Sequence, residues 1–281
     1  MSPEVFFVVL GVAVAHAAWN ALLRAEPNKN GMLKVMFVTQ TATALAVLPF
    51  VALPSLESIP YLTVSAVIGV GAMLLLSHAY RFGDLSQVYP LSRGSSPLIV
   101  ALVSIALLGE VLTLASMAGI ALIALGVISL SVTRNIRSLR NGPLVAIALA
   151  NGATSAMCNM IDGYGARLSG STHGYVAMLA LVLSVLMVLT TQVMQRGAST
   201  PLTARTIWLG AVAGLMSLGA AWAAIWAMTL APIPLVSALR EASIVFATII
   251  GLVFFREALT LQRVLSIALV VFGVVVLRLN G

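Results

Sequence analysis

The sequence has 281 residues, of which 60% are hydrophobic and only 8% are charged, and its mean hydropathy is +1.08. Soluble domains carry about 25% charged residues, so this composition excludes a water-soluble globular protein and indicates that lipid covers most of the surface. The net charge of +7 comes from basic residues scattered singly between apolar segments, which argues against a nucleic-acid partner. The single cysteine, Cys158, excludes a disulfide framework and a cysteine metal site.

Ten apolar segments, separated by short stretches with Pro, Gly or charged residues, follow one another along nearly the whole chain. A transmembrane helix needs roughly 20 apolar residues, whereas barrel strands alternate polar and apolar residues over about 10 positions. The segments are too long and too uniformly apolar for strands. The sequence therefore predicts an all-α polytopic membrane protein. Its ten predicted transmembrane helices occupy residues 4–23, 32–53, 61–81, 88–108, 113–132, 144–166, 174–194, 206–229, 233–255 and 261–279.

The basic residues fall almost entirely on one side of this predicted bundle. Apart from Arg93 and Arg240, which lie within predicted spans, only Arg167 and Arg278 fall on the side that carries both termini. Because cytoplasmic loops are enriched in Lys and Arg, we expect a multi-pass protein of the cell (inner or plasma) membrane with both termini on the outer side. The basic residues on the expected cytoplasmic side are Arg24, Lys29, Lys34, Arg81, Arg134, Arg137, Arg140, Arg196, Arg205, Arg256 and Arg263.

The second half of the chain repeats the first at an offset of 147 positions. Arg93 matches Arg240 and Glu110 matches Glu257, without a gap between them. Both glutamates close their helices, and we expect them to form turns. Each half contains five helices, an odd number, so the halves enter the membrane in opposite directions. In such inverted repeats, secondary transporters bind substrate near the bilayer midplane. The two predicted repeats occupy residues 1–137 and 141–281.

Five short motifs give the sequence a family resemblance. In chain order they are His16-Ala-Ala-Trp19-Asn20, Tyr89-Pro90-Leu91-Ser92-Arg93-Gly94, Leu107-Leu108-Gly109-Glu110, Asp162-Gly163-Tyr164-Gly165-Ala166-Arg167 and Ala238-Leu239-Arg240-Glu241. In the order and spacing of these motifs, the chain resembles the EamA-type transporters of the drug/metabolite transporter superfamily over essentially its whole length. The resemblance implies a five-plus-five helix arrangement and an exporter or exchanger of amino acids or other small metabolites, often driven by protons.

Two arginines, Arg93 and Arg240, lie well inside the fourth and ninth predicted spans. A charged side chain at mid-bilayer costs at least about 2.5–3.5 kcal/mol on insertion scales, so each needs a partner or a function. Either side chain could instead extend to the nearer interface. The two spans begin on opposite sides, however, so the arginines approach the midplane from opposite directions, as groups flanking a central cavity do. Because a guanidinium pairs with carboxylate or phosphate oxygens, we expect them to bind an anionic group of a substrate.

Further polar residues within the spans complete the predicted site. Glu241 lies about 100° from Arg240 around its helix, so it could carry a proton, bind a substrate ammonium group or pair with an arginine of another helix. His16 and Asp162 are the other proton-coupling candidates, since imidazole titrates near neutral pH, although Asp162 could simply pair with Arg167. The remaining substrate-binding candidates are Asn20, Tyr89, Asn159 and Trp222. The two asparagines could instead form hydrogen bonds between helices, and Trp222 could instead pack within the bundle or face lipid.

These features favour a secondary transporter of a small metabolite with an anionic group, plausibly an amino acid, over other classes of membrane protein. The alternative is a flippase for a lipid-linked carrier, which would use the arginines on a head-group phosphate. An enzyme is not expected, because the three histidines are isolated and no H-E-x-x-H motif occurs. We expect no cofactor and no metal. The expected partners are a small-molecule substrate, the lipid bilayer and protons as a coupling ion.

Overall fold

The computed structural model describes residues 1–79, 85–132, 142–194 and 201–280. These residues form eleven α-helices and two 3₁₀ turns, and no strand occurs among them. The helices are α1 (Pro3–Ala25), α2 (Lys29–Val47), α3 (Ile59–Ala79), α4 (Leu85–Leu108), α5 (Leu114–Val132), α6 (Gly142–Leu168), α7 (Thr172–Met194), α8 (Ala204–Leu230), α9 (Ile233–Arg240), α10 (Ser243–Phe255) and α11 (Leu261–Asn280).

Local signals explain where individual helices begin. The Oγ of Ser2 accepts a hydrogen bond from the backbone N–H of Val5 at 3.3 Å, and Pro3 occupies the first helical position of α1. Thr203 caps α8 in the same way. In the described part of the chain, eight segments are long and apolar enough to cross a membrane. Many of their large apolar side chains are exposed, as expected where lipid is the solvent. The prediction of an all-α polytopic membrane protein is confirmed.

The ninth predicted span is the one place where the predicted helices differ in kind from the structure. We expected one helix over 233–255, but the segment is divided into α9 and α10 at Glu241 and Ala242. The backbone N–H groups of these two residues donate to the carbonyls three residues earlier, at 3.0 and 3.1 Å. The segment thus tightens into a 3₁₀ turn, and a 3₁₀ stretch within a helix often marks a hinge. This hinge lies next to Arg240.

Successive membrane crossings run in opposite directions, so the turns lie alternately at two faces of the bundle. One face, which we call the terminal face, carries the start of α1, the end of α11 and the turns at 48–58, 109–113, 169–171 and 231–232. The other, which we call the basic face, carries the turns at 26–28 and 256–260 and the basic side chains of Arg24, Lys29, Arg205, Arg256 and Arg263.

The ends of α4 and α10, which the offset of 147 relates, have the same backbone geometry. Helix α4 is followed by Gly109 with a φ of 63°, and α10 by Arg256 with a φ of 51°. Glu110 and Glu257 then donate their backbone N–H groups to the carbonyl six residues earlier, at 3.2 and 3.1 Å. A left-handed residue commonly ends a helix in this way. Glycine adopts that conformation at no steric cost, whereas arginine does not. The shared turn supports the internal repeat.

The last helices of the two halves, α5 and α11, pack closely along small residues. A Cβ added to Gly126 would lie 2.8 Å from the carbonyl oxygen of Ser266, and one added to Gly273 would lie 2.8 Å from that of Gly119. The offset of 147 exchanges these two contacts, as is expected of an internal repeat. Ser129 and Ser266 also share a hydrogen bond of 2.6 Å between their hydroxyls. This contact joins the two halves at α5 and α11. The helices that carry Arg93, Arg240 and the side chains around them are α1, α4, α6 and α9.

Candidate functional site

Helices α4 and α9 carry the two predicted arginines to mid-depth in the bundle. Arg93 lies about two turns into α4 from the basic face, and Arg240 lies about two turns into α9 from the terminal face. The two guanidinium groups therefore come from opposite faces. Both residues are only partly accessible, with 19% of the Arg93 side chain exposed. Around them lie polar groups from α1 and α6.

Arg93 is held by an ion pair and by a histidine. Its Nε lies 3.1 Å from Oε2 of Glu241, a carboxylate whose side chain is only 8% exposed. Its Nη2 lies 3.3 Å from Nε2 of His16 on α1. A guanidinium can only donate hydrogen bonds, so Nε2 accepts and His16 is the neutral form that carries its proton on Nδ1. Three roles were considered for Glu241: carrying a proton, binding an ammonium group and pairing with an arginine of another helix. The structure has Glu241 in an ion pair with Arg93 of α4.

Arg240 makes the corresponding contact in the second half. Its Nη1 donates to Oδ1 of Asn159 on α6 at 2.9 Å, and Nδ2 of Asn159 donates to the Ser237 hydroxyl at 3.4 Å. Each arginine therefore bonds to a side chain on the first helix of its own half. Glu241 breaks this symmetry, because the offset of 147 places Gly94 at the equivalent position. The centre holds one carboxylate close to two guanidinium groups.

A cavity of about 100 Å³ lies beside the Arg93–Glu241 pair. Asn20 is part of its wall, and its Nδ2 donates to the backbone carbonyl of His16 at 2.7 Å. The α1 residues of the wall lie in the half of that helix nearer the basic face, whereas its α10 residues lie in the first turns of α10, at mid-depth. The wall of this cavity thus combines charged, amide and aliphatic side chains. Its lining residues are His16, Ala17, Asn20, Arg93, Glu241, Ser243, Ile244 and Ala247.

Asp162 is a second buried carboxylate, about one turn from Asn159 along α6. It interacts with the hydroxyl of Ser65 on α3 and, through charge, with Arg240. Its Oδ1 is buried without a hydrogen-bond partner among the described residues. The phenol of Tyr175 on α7 faces the same carboxylate and interacts with it. Asp162 is therefore a buried carboxylate that neutral hydroxyl groups from α3 and α7 surround.

The other two predicted substrate-binding residues, Trp222 and Tyr89, are not part of this group. Trp222 lies in a different pocket, and the side chain of Tyr89 is not among those that the structure describes. Trp222 lines a separate, mostly apolar pocket of about 470 Å³ near the terminal face, together with Trp226. Its Nε1 donates to Nδ1 of His173 at 2.8 Å. Tyr89 lies on α4 about one turn before Arg93, and its side chain is outside the described part of the structure. The structure thus brings together Arg93, Arg240, Glu241, His16, Asn20 and Asn159.

At the terminal face, Arg167 joins three elements. Its Nη1 pairs with Oε1 of Glu110 at 2.8 Å, and its Nε and Nη2 donate to the carbonyls of Met228 and Ala231, both at 2.9 Å. The same Oε1 accepts from the backbone N–H of Ile233 at 3.3 Å. The alternative considered for Asp162, a pair with Arg167, does not form: Arg167 pairs with Glu110, and five residues place the two side chains about 140° apart around the helix. Arg167 instead ties α6 to the turns after α4 and α8.

At the basic face, Glu257 has the equivalent position. It pairs with Arg24 at the end of α1 and, at 2.8 Å, with Arg263 in the first turn of α11. Partial burial acts to raise the pKa of Glu257, but the two guanidinium groups outweigh burial and lower that pKa below its usual value. Glu110 and Glu257 form turns, as expected, and each also binds an arginine at the end of the first helix of the other half.

Some of these residues were not predicted from the sequence. The repeat marked Glu110 and Glu257, but nothing local indicated their partners Arg167 and Arg24. Ser65 carries no signal of its own, since a single serine in an apolar helix is common. In the part of the chain that the structure describes, no group of three or more His, Cys, Asp or Glu side chains could hold a metal ion.

Comparison with protein-family models matches the first half of the chain to the EamA-like transporter family. Residues 4–132 form an EamA-like transporter domain. The protein is therefore a multi-pass membrane transporter, which implies a small-molecule substrate, and the matched family is not one of enzymes.

One solved structure, described only as "Crystal structure of protein", matches the fold over both halves. It has a TM-score of 0.74, shares 20% sequence identity, and the match covers 98% of this chain and 96% of that chain. At this identity the likeness shows the fold alone. No curated protein matches the sequence.

Proposed function

We propose that the protein is a secondary active transporter of a small metabolite that bears an anionic group, with amino acids as the first class to consider. It works as an exporter or exchanger by alternating access between two inverted repeats, residues 1–137 and 141–281. Substrate binds at Arg93 and Arg240, with Glu241, His16, Asn20 and Asn159 around it, and Tyr89 and Trp222 belong to the wider substrate path. Protons are the coupling ion, carried by Glu241, His16 or Asp162.

The observation that carries this proposal is that two guanidinium groups from opposite faces, those of Arg93 and Arg240, act on one buried carboxylate, Glu241, beside a small cavity that Arg93 and Glu241 line. Removing an arginine from water at this depth is costly, and a merely structural role needs only one partner for each. Arg93 and Arg240 instead both act on Glu241, which Arg93 contacts directly. A guanidinium offers a planar pair of donors that fits a carboxylate or phosphate. An anionic group is the ligand that this centre suits.

Alternating access is supported by the two ion-paired clusters at opposite faces. The offset of 147 relates Glu110 to Glu257, and their partners Arg167 and Arg24 end the first helices of the two halves. Breaking one cluster while the other holds would open the centre to one face at a time. Because Lys and Arg are enriched in cytoplasmic loops, we assign the basic face to the cytoplasm and both termini to the outer side. A C-terminal tag that is reached only from the cytoplasm would contradict this orientation.

A flippase for a phosphate-bearing lipid-linked carrier is the second candidate. The pocket of about 470 Å³ favours it, since Trp222, Trp226, Leu215 and Leu218 make its wall apolar. A lipid chain could lie there while the phosphate reaches the arginines. The central cavity of about 100 Å³ favours the small metabolite instead.

A thermal-shift screen of the purified protein in detergent tests the proposal. The probes are amino acids, organic acids, phosphonates, sugar phosphates and a lipid-linked phosphate. A ligand at 100 times its dissociation constant stabilises the folded state by about 2.7 kcal/mol. We expect a soluble anionic hit that is lost in Arg93→Ala and Arg240→Ala and kept in Arg205→Ala, a matched change at an exposed arginine. A hit with the lipid-linked phosphate alone would favour the flippase, and retention of all hits in both central variants would refute the role of the arginines.

A further inference from the structure

The apolar pocket of about 470 Å³ has the form of a groove between three helices. Its floor is α8, where Leu215, Gly219 and Trp226 lie on one face of the helix at spacings of four and seven residues. Val8 of α1 and Thr43 of α2 form its two sides. All three helices are long and apolar enough to cross a membrane, and the volume is that of an ordinary ligand pocket.

The groove is continuous with the surface that faces lipid. Leu215 in its floor is 51% exposed, and the apolar side chains next to its two sides, Phe7 of α1 and Leu45 of α2, are 64% and 54% exposed. Lipid is the solvent for exposed apolar side chains within a membrane span. A groove that opens onto this surface therefore meets hydrocarbon chains and not water.

The length and polarity of the groove match one chain of a single leaflet. From Leu215 to Trp226 it runs about 16 Å along α8, which is about half of a hydrocarbon core of about 30 Å. Its two polar side chains, Thr43 and His173, lie toward the terminal face, and His173 is exposed there in the first turn of α7. A phospholipid has the same order, with its polar group at the membrane surface and its chains reaching toward mid-depth.

The groove is separate from the central cavity. Among the residues that the structure describes, the two spaces have no lining residue in common. Next to the groove, α1 packs on α8 through Val12, Ala220 and Ala224, which are 4%, 6% and 0% exposed. These contacts favour a lipid that binds independently of the central arginines.

We infer that this groove is a binding site for one acyl chain of a phospholipid from the leaflet at the terminal face, and that this lipid is resident and is not transported. The chain fills the space between α1 and α2 over α8, and the head group lies near His173 at the membrane surface. The inference does not rest on the proposed function, since neither central arginine takes part. Trp222 also packs against the buried cluster that contains Leu62 and Tyr175, so it remains available to the wider substrate path.

Gly219 offers a way to fill the groove without disturbing the helix. A Cβ at this position meets nothing within 4 Å, and leucine favours a helix more than glycine does. The matched control is Gly71→Leu on α3, outside the groove. Gly71 is exposed and has the same open space, and the two glycines lie eleven and twelve residues from the ends of α8 and α3 at the terminal face.

Native mass spectrometry of the purified protein, with dioleoylphosphatidylcholine added to the detergent, counts the bound lipid. A zwitterionic lipid is used because an anionic one would also bind to basic residues at the membrane surface. We expect the wild type and Gly71→Leu to keep one lipid per protein and Gly219→Leu to lose it. We also expect Arg93→Ala and Arg240→Ala to keep the lipid.

Fluorescence quenching by a phosphatidylcholine with brominated chains locates the lipid. One variant keeps Trp226 in the groove as its single tryptophan, and another keeps Trp208, which is 68% exposed in the first turns of α8 and reports general lipid contact. Phenylalanine replaces the other three tryptophans in each. We expect the quenching of Trp226 to saturate at one lipid per protein, whereas that of Trp208 rises in proportion to the lipid content.

Three results would overturn the inference. If the wild type keeps no lipid, or if Trp226 is quenched in the same proportion as Trp208, the groove has only the general lipid contact of the surface. If Gly219→Leu keeps as much lipid as the wild type, the bound chain lies elsewhere. If Arg93→Ala and Arg240→Ala lose the lipid, it belongs to a molecule held by the central arginines, which would favour the flippase. Because the groove is tested by lipid binding and the proposed function by soluble ligands and transport, either can fail without the other.

Discussion

The two faces of the bundle are closed by related ion pairs of very different strength. At the terminal face, Glu110 is 9% exposed and Arg167 makes three bonds, two of them to backbone carbonyls. At the basic face, Arg24 is 55% exposed and contacts Glu257 and the ring of Phe255. We call the buried Arg167–Glu110 pair of the terminal face the firm lock. The exposed Arg24–Glu257 pair of the basic face is called the loose contact.

This difference between the two ion pairs bears on the face at which the bundle is closed. The wall of the central cavity includes Ala247, which is exposed and lies on the basic-face side of the division between α9 and α10. Toward the terminal face, Ile233, Val236 and Leu239 of α9 are buried. In an inverted repeat the opposite state has the two clusters exchanged. On the proposed mechanism, the more buried ion pair predicts that the structure corresponds to the state that is closed at the terminal face.

Breaking the firm lock should have the largest effect. Arg167→Ala removes the ion pair and two bonds to carbonyls, and we expect it to lower the free energy of unfolding by about 2–3 kcal/mol, less than a fully buried pair because the arginine is partly exposed. It should also favour opening at the terminal face. In a Cys158→Ser background, alkylation of an Ala231→Cys reporter should become faster than with Arg167 intact. An unchanged melting temperature together with an unchanged alkylation rate would remove Arg167 as a lock.

Breaking the loose contact should do much less. Arg24→Ala leaves Glu257 paired with Arg263, so we expect at most about 1 kcal/mol, the usual range for an exposed pair. Alkylation of an Ala247→Cys reporter should change little, because that position is already exposed. The comparison of the two faces fails if Arg24→Ala destabilises the protein as strongly as Arg167→Ala in the same thermal-unfolding assay.

The positions of the helices followed from the sequence, but most side-chain partners did not. Apolar runs indicate spans directly, since lipid requires them. The division at Glu241 was not predicted, because neither Pro nor Gly occurs there and apolar residues flank the charged Arg240 and Glu241 on both sides. The pair between Arg93 and Glu241 joins positions far apart in the chain, which no local pattern relates. Asp162 and Arg167 seemed natural partners by sequence distance, but the helix turns them apart.

The smallest predicted effect is the pH dependence of the loose contact. The pKa of Glu257 is lowered by Arg24 and Arg263, so its contribution to stability is complete above the unfolded-state pKa of about 4.3 and is lost as the pH falls through the lower folded-state pKa. Wild type should thus melt slightly above Glu257→Gln at pH 7, and the two should converge toward pH 3. A difference that grows on acidification would show that the arginines do not stabilise the ionised form.

Counterflow in proteoliposomes is the most direct test of the central claim that Arg93 and Arg240 carry an anionic small molecule across the membrane. Vesicles with wild type or Arg205→Ala, preloaded with a mixture of unlabelled amino acids, are expected to accumulate external labelled amino acids. Vesicles with Arg93→Ala or Arg240→Ala, folded by the criterion of an unfolding transition, are expected to accumulate none. Accumulation at the wild-type rate in both central variants would contradict the account.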